Sequence, residues 1–350
     1  MAPHTIDALL LKYEKGGAGR SRLSSILNAV VVVTSMLSPV ALAQDEASAS
    51  EEPPPQVSRY ANNPARLAVA LQDGERVYRQ HCRACHGRRG NGRGEAARFL
   101  NVAPRNFTTG VYKWRTTPTG SLPGDRDILR TIANGAPGTS MPAWRGRIPG
   151  ADIDAVAQYI KTFSDRFANE EVPAAVPMPK TMPDLDDEAA QRGRMLFVLM
   201  QCWTCHGIQG RGDGPASDTL EDDDGNPIEA YDFTSGRFRS GRRPVDIYRT
   251  FTTGVNGTPM PSYDEALMIG GDAFQDFEQY RPAMASDGLA PLREFVSHMP
   301  TTEEIWSISE EERRAWATQS RWDLVAYVLA LSKQRGRVWL YLTTPPYRTD

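Results

Sequence analysis

The chain has four cysteines and uses all of them in two copies of one pentapeptide, Cys82-Arg-Ala-Cys85-His86 and Cys202-Trp-Thr-Cys205-His206. Two thiols at this spacing can form thioethers to the two vinyl groups on one edge of a porphyrin. The histidine that follows then reaches the iron from one face. Cys-x-x-Cys-His is therefore read as a c-type haem attachment site, and two copies mean two covalently bound haem c groups, held by Cys82, Cys85, Cys202 and Cys205. Zinc fits poorly, because paired knuckles of a zinc ribbon lie ~15–20 residues apart and these lie 120 apart. A thioredoxin-like redox pair would need a βαβ context, which the sequence does not offer.

His86 and His206 are the expected proximal ligands. A methionine thioether opposite the histidine closes the iron and raises its potential. Met141 and Met260 are the candidates, each in a Gly-Thr-x-Met-Pro stretch, 55 and 54 residues after its histidine. Met268, Met284, Met299 and His298 follow Met260 and compete with it for the second iron. A ligating histidine donates its other N–H to a carbonyl or carboxylate, for which Pro104 and Pro227 mark candidate carbonyls. Arg115, Arg239, Arg130 and Arg249 recur in both halves and are candidate partners for haem propionates. Trp114 and Phe238 are expected to wall the haem pockets, and Gly87 and Gly207 to let backbone approach the porphyrin edge.

The residues that must position these groups repeat in the same order. Asp127–Gly135 (DILRTIANG) answers Asp246–Gly254 (DIYRTFTTG), Asn106–Thr108 answers Asp232–Thr234, and Lys113–Arg115 (KWR) answers Arg237–Arg239 (RFR). Such internal similarity sets the architecture. Each half begins with a helix running into its cysteine motif, a short one with Gly74 near its start in the first half. Each half closes with another helix, over Ala151–Phe163 and Ser320–Ser332. Tyr159 and Tyr327 match, but Tyr327 lies farther from its motif, so the second half carries an insertion of about 48 residues, near 263–318. A short helix is expected within it, at ISEEERRAWATQ.

At these residues the sequence resembles the class I, mitochondrial-like cytochromes c in a tandem dihaem form. The pentapeptides, the two methionine loops and the closing helices AVAQYI and LVAYVL carry the likeness. The resemblance implies an all-α fold of two tandem cytochrome c-like domains, each wrapping one haem with an edge near solvent. It also implies one-electron shuttling between a periplasmic donor and an acceptor.

The expected organisation is a signal peptide over 1–43, a disordered tether over 44–73, a first cytochrome c domain over 74–170 and a Pro-rich linker over 171–190. A second domain with the insertion spans 191–336 and a tail 337–350. The basic residues Lys12 to Arg22, the apolar run from Ile26 to Leu42 and the small residues Ala41–Ala43 read as an export signal to the periplasm. An uncleaved N-terminal anchor, and membrane association through it, is the alternative. Formal net charge is −3, which gives no ground for nucleic-acid binding. Residues 44–170 hold 18 basic and 13 acidic residues, net +5, whereas 171–350 hold 18 and 28, net −10. Unlike ends can face unlike partners.

The main reading is an electron carrier without catalytic residues, passing single electrons from a membrane or molybdenum-containing oxidoreductase to a redox-protein acceptor. One rival is a peroxidase-like dihaem enzyme with one open iron, served by His298, Glu303 or Glu304. The other is a fixed subunit of a respiratory complex, with the insertion and Arg337–Tyr347 as interface.

Overall fold

The computed structural model describes residues 60, 63–284 and 287–339. The expected signal peptide, most of the tether and the end of the tail lie outside the described residues. Within them the secondary structure is helical apart from two isolated β-bridges.

The first half is built on α1 (Pro64–His81), which runs into the cysteine motif as α2 (Arg83–His86). Asn63 caps α1 by accepting from the Arg66 N–H at 3.0 Å, and Pro64 supplies the fixed φ of a first helical position. The helix therefore starts inside the stretch expected to be a tether, and Gly74 sits at mid-helix, not near its start. Its place there is steric. A Cβ on Gly74 would lie 2.8 Å from the Ala155 carbonyl carbon of α4 (Gly150–Lys161). Between α1 and α4 come α3 (Asp125–Asn134) and the methionine loop, and α5 (Arg166–Asn169) follows them. Val77, Tyr78, Phe107, Ile128, Val156 and Ile160 form this half's core.

The second half repeats the plan with α6 (Asp187–Leu199), α7 (Trp203–His206) and α8 (Pro244–Thr253). The insertion adds two 3₁₀ turns, α9 (Ala290–His298) and α10 (Thr302–Ser307). The closing helix α11 runs from Glu310 to Trp339 without a break. The two helices expected at ISEEERRAWATQ and Ser320–Ser332 are thus one, because neither Gly nor Pro interrupts the sequence from Glu310 to Ser332. α6 crosses α11 at Gly193, just as α1 crosses α4 at Gly74. Met284, Leu292 and Ile305, all fully buried, join the second core, so the insertion packs onto its own domain.

The halves also bind each other. Arg115 is buried and donates to the Pro118 carbonyl at 3.0 Å and, across the boundary, to Thr253 O at 2.8 Å. Thr119 Oγ1 donates to the same Thr253 carbonyl at 2.8 Å, and the Gly120 N–H donates to Asn256 Oδ1 at 3.0 Å. On the other side Asn106 Nδ2 donates to Asp224 Oδ1 at 2.9 Å and Lys113 Nζ lies 3.8 Å from Asp222 Oδ2. The expected linker is partly seated: the Val176 N–H donates to Thr116 O at 2.7 Å, and Met178 and Leu185 pack on the second core.

Candidate haem-binding sites

Each pentapeptide is a turn of helix entered from a longer one. Cys82 N–H donates to Tyr78 O at 2.9 Å and His86 N–H to Cys82 O at 2.9 Å; the His206 N–H repeats the second bond to Cys202 O at 2.9 Å. Both thiols and the imidazole thus leave one short helical segment. Gly87 and Gly207 end it at φ 80° and 74°, a left-handed turn that a glycine adopts freely. The turn is held in the first half by Tyr78 Oη, which donates to Gly87 O at 2.8 Å.

All four thiols are unbridged. Burial pushes the Cys82 and Cys202 thiols up to about 12. No group of three or more His, Cys, Asp or Glu side chains suited to a metal ion occurs among the described residues.

The histidines are oriented from behind. His86 Nδ1 lies 3.0 Å from Arg105 O and His206 Nδ1 lies 3.0 Å from Tyr231 O. With Nδ1–H donating there, Nε2 is left with its lone pair for iron. These carbonyls correct the expectation of Pro104 and Pro227: the first falls one residue on, and the second four residues on. Phe107 stacks on His86 at 4.5 Å and Phe233 on His206 at 4.4 Å, fixing the ring planes. Burial lowers both imidazole pKa values, against the opposing pull of the backbone hydrogen bond, and favours the neutral, ligating form.

The methionine loops share one construction. Each follows a helix whose N-terminus is closed by the aspartate of the DIxRT stretch: Asp127 Oδ2 accepts from the Gly124 N–H at 3.1 Å, and Asp246 Oδ2 from the Arg243 N–H at 3.3 Å. Ala136 N–H donates to Met141 O and Val255 N–H to Met260 O, both at 3.1 Å. The loop threonine then accepts from the methionine N–H, Thr139 Oγ1 at 3.1 Å and Thr258 Oγ1 at 3.3 Å. This is what the threonine of Gly-Thr-x-Met-Pro does.

In the second half a cavity of about 740 Å³ brings Cys202, Cys205, His206 and Met260 together, with Phe233, Phe238 and Tyr263 among its walls. Its size and lining suit a large flat apolar group. Arg239 also lines it, stacked over Tyr231 at 5.5 Å, and its buried Nε has no hydrogen-bond partner. A haem propionate would supply that missing acceptor, so the residues fit the group. Of the other candidates for propionates, Arg115 is turned to backbone carbonyls, Arg249 pairs with Asp246 at 3.2 Å and Arg130 with Asp127 at 3.8 Å.

The competitors for the second iron stand elsewhere. Met268, Met284 and Met299 are buried in the core, and His298 Nδ1 lies 2.7 Å from Glu294 O in its own helix. Glu304 closes the N-terminus of α10 with Thr301, and none of these residues, nor Glu303, lines the cavity. Trp114 does wall a haem cavity, but it is the other domain's: Asn101, Val102, Ala103, Lys113, Trp114 and Gly138 of the first half all line the second cavity.

Residues 69–160 match the family described as cytochrome c oxidase, cbb3-type, subunit III, and residues 190–332 the family described as cytochrome c. The chain is 34% identical over 94 residues to the cbb3-type cytochrome c oxidase subunit CcoP of Azospirillum brasilense, covering 27% of this chain and 28% of that one. It is 26% identical over 212 residues to subunit FixP of Azorhizobium caulinodans, covering 59% of this chain and 57% of that one. The matched region thus spans less than two thirds of either curated relative. A solved structure, the reducing HAO-like protein complex Kustc0457/Kustc0458 of Kuenenia stuttgartiensis, contains a similar chain at 34% identity. The TM-score is 0.57, with 74% of this chain and 96% of that chain covered.

Proposed function

Because the chain belongs to the tandem c-type cytochromes and carries two covalently bound haem c groups, we propose that it relays single electrons in the periplasm through two His/Met-ligated haems. The donor is a respiratory oxidoreductase and the acceptor a downstream redox protein. The observation that carries the reading is the shared cavity of His206 and Met260, with Met141 held in a first-half loop of the same construction. When bound, the haem supplies an iron that cycles between two oxidation states.

The protein's part is to hold that iron closed. Arg105 O and Tyr231 O each orient an imidazole, Phe107 and Phe233 fix its plane, and Met141 and Met260 are the residues that would complete the hold on each iron. Thioether ligation raises the potential, and apolar walls exclude water. Two closed irons favour electron transfer over substrate chemistry.

Periplasmic residence rests on the export-type stretch at 1–43. No helix among the described residues is long and apolar enough to cross a membrane. The names of the relatives, subunits of an oxidase and a chain of a HAO-like complex, favour one second reading: the same relay as a fixed subunit of a larger assembly. Gel filtration of native extract distinguishes the two, by elution alone or with partners.

The test of ligation is an optical spectrum of the haem-loaded protein, oxidised and reduced, with and without carbon monoxide. Two low-spin haems that show the weak red band of Met-to-ferric-iron ligation and ignore carbon monoxide support the relay. One high-spin or carbon-monoxide-binding haem overturns it.

A further inference from the structure

Lys113 belongs to the first half by sequence, yet it stands in the second half's cavity. Its side chain is 17% exposed and its nearest ion-pair partner is Asp222, at 3.8 Å, a length at which the pair makes no good hydrogen bond. The positive charges of Arg105 and Arg239 also bear on it. Arg239 comes from the second half and carries a buried Nε without a partner on the same cavity. Two cations from different domains thus converge on one cavity. Asp218, Asp222 and Glu229 also line it, and Asp222 and Asp224 bear on Lys113, yet the ion pair Lys113 makes is the long one to Asp222 and Arg239 Nε has no acceptor. Buried donors left at such distances favour a further anion in the cavity.

The second haem supplies anions of the right kind. Its thioethers are made to Cys202 and Cys205, and its two carboxylates lie on the half of the ring away from the thioethers. We propose that Lys113 is a haem-binding residue contributed across the domain boundary, pairing with a carboxylate of the second haem beside Arg239. The first domain then completes the second haem's site and sets its potential. A cation at a haem carboxylate offsets negative charge near the iron, which favours the reduced form and raises the potential. Asp222 is the counterweight: it holds Lys113 in place and tempers its charge.

The proposal rests on the second haem being seated at His206, not on the identity of donor or acceptor. It is tested on the haem-loaded full chain by a redox titration in which haem-methyl resonances report each haem separately. Optical spectra of the same samples report ligation. In Lys113→Gln the second haem's reduced-to-oxidised ratio at fixed ambient potential is expected to fall about tenfold, which for one electron is about 59 mV. The first haem should move much less. Lys113→Arg should restore the wild-type value, because charge and not packing is at issue, and Asp222→Asn should shift the second haem the opposite way. An unchanged second haem in Lys113→Gln with intact His/Met spectra overturns the assignment. So does an Arg variant that behaves like Gln, or an equal shift at both haems. A high-spin wild-type spectrum would instead strike at the ligand set and leave the charge result standing.

Discussion

Replacing Gly193 by alanine should force apart the helices that close the second domain. An alanine Cβ there would lie 2.5 Å from the Asp323 carbonyl carbon and 2.9 Å from Tyr327 Cβ. Ordinary contact needs close to 3.4 Å or more, so α6 and α11 must separate by at least about 0.9 Å to clear the carbonyl carbon, and by more to clear the Asp323 carbonyl oxygen, which lies nearer still. Neither obstacle can rotate away: one is backbone and the other is the first atom of a side chain. Alanine gains up to ~1 kcal/mol over glycine in helix propensity, whereas overpacking of this kind costs ~1–3 kcal/mol. With backbone as the obstacle the cost falls at the upper end, for a net loss of about 2 kcal/mol. The same crossing carries the ion pair of Arg192 with the fully buried Asp323, at 3.0 Å, which the separation would stretch. The assay is guanidinium denaturation of the haem-loaded protein, with Gly150→Ala as control, since nothing lies within 4 Å of a Cβ at Gly150. A Gly193→Ala protein as stable as the control would refute the steric account of why both halves carry glycine at this crossing.

Three further outcomes are expected. Met260→Ala opens the second iron, so one of the two haems in the reduced protein should bind carbon monoxide; Met141→Ala should do the same for the other haem, checked by difference spectra. Arg115→Leu removes one of two donors from each of the Pro118 and Thr253 carbonyls, Ser121 N–H and Thr119 Oγ1 remaining, and the loss of two buried bonds to a charged donor should cost ~1–3 kcal/mol, read from the denaturation midpoint. The buried imidazoles His86 and His206 have lowered pKa values, so the unfolded chain binds protons that the folded one refuses. Their contribution to stability is therefore complete above the ordinary histidine value of 6.5 and declines as pH falls below it, by up to about 1.4 kcal/mol per pH unit for each imidazole. Denaturation midpoints that stay level from about pH 7.5 to 5.5 would contradict this.

The attachment chemistry was legible because it is written in side chains at fixed spacing: two thiols, a histidine, then a methionine in a repeated loop. The tandem architecture followed from the order of those matches, and the all-α fold from the resemblance to cytochromes c that they carry. Parts carried by backbone were harder to read. The acceptors for His86 and His206 are carbonyls, which every residue has, so nothing in the sequence singles out Arg105 and Tyr231; the recurring Asn-Phe-Thr and Asp-Phe-Thr stretches marked the neighbourhood only. The early start of α1 did have a signal, Asn63-Pro64, a cap followed by a proline at the first turn. Gly74 outweighed it as an apparent helix boundary, although its role is tertiary. Closure of the second cavity by Lys113 and Trp114 had no local signal, because docking between domains leaves no periodic pattern.

Outside the long insertion after Met260, the two halves differ in length where they touch. The stretch from Leu220 to Phe233 is longer than that from Leu100 to Phe107, and its surplus includes Asp222 and Asp224, which meet Lys113 and Asn106. The stretch from Arg115 to Asp127 is longer than that from Arg239 to Asp246, and it carries Thr119 and Gly120, which meet Thr253 and Asn256. Each half has grown the piece its neighbour needs. The duplication has thereby lost its interchangeability: two first halves in series would lack the acidic loop, and two second halves would lack the lysine and tryptophan that reach across. The chain has a direction, and its halves are no longer spare copies of each other.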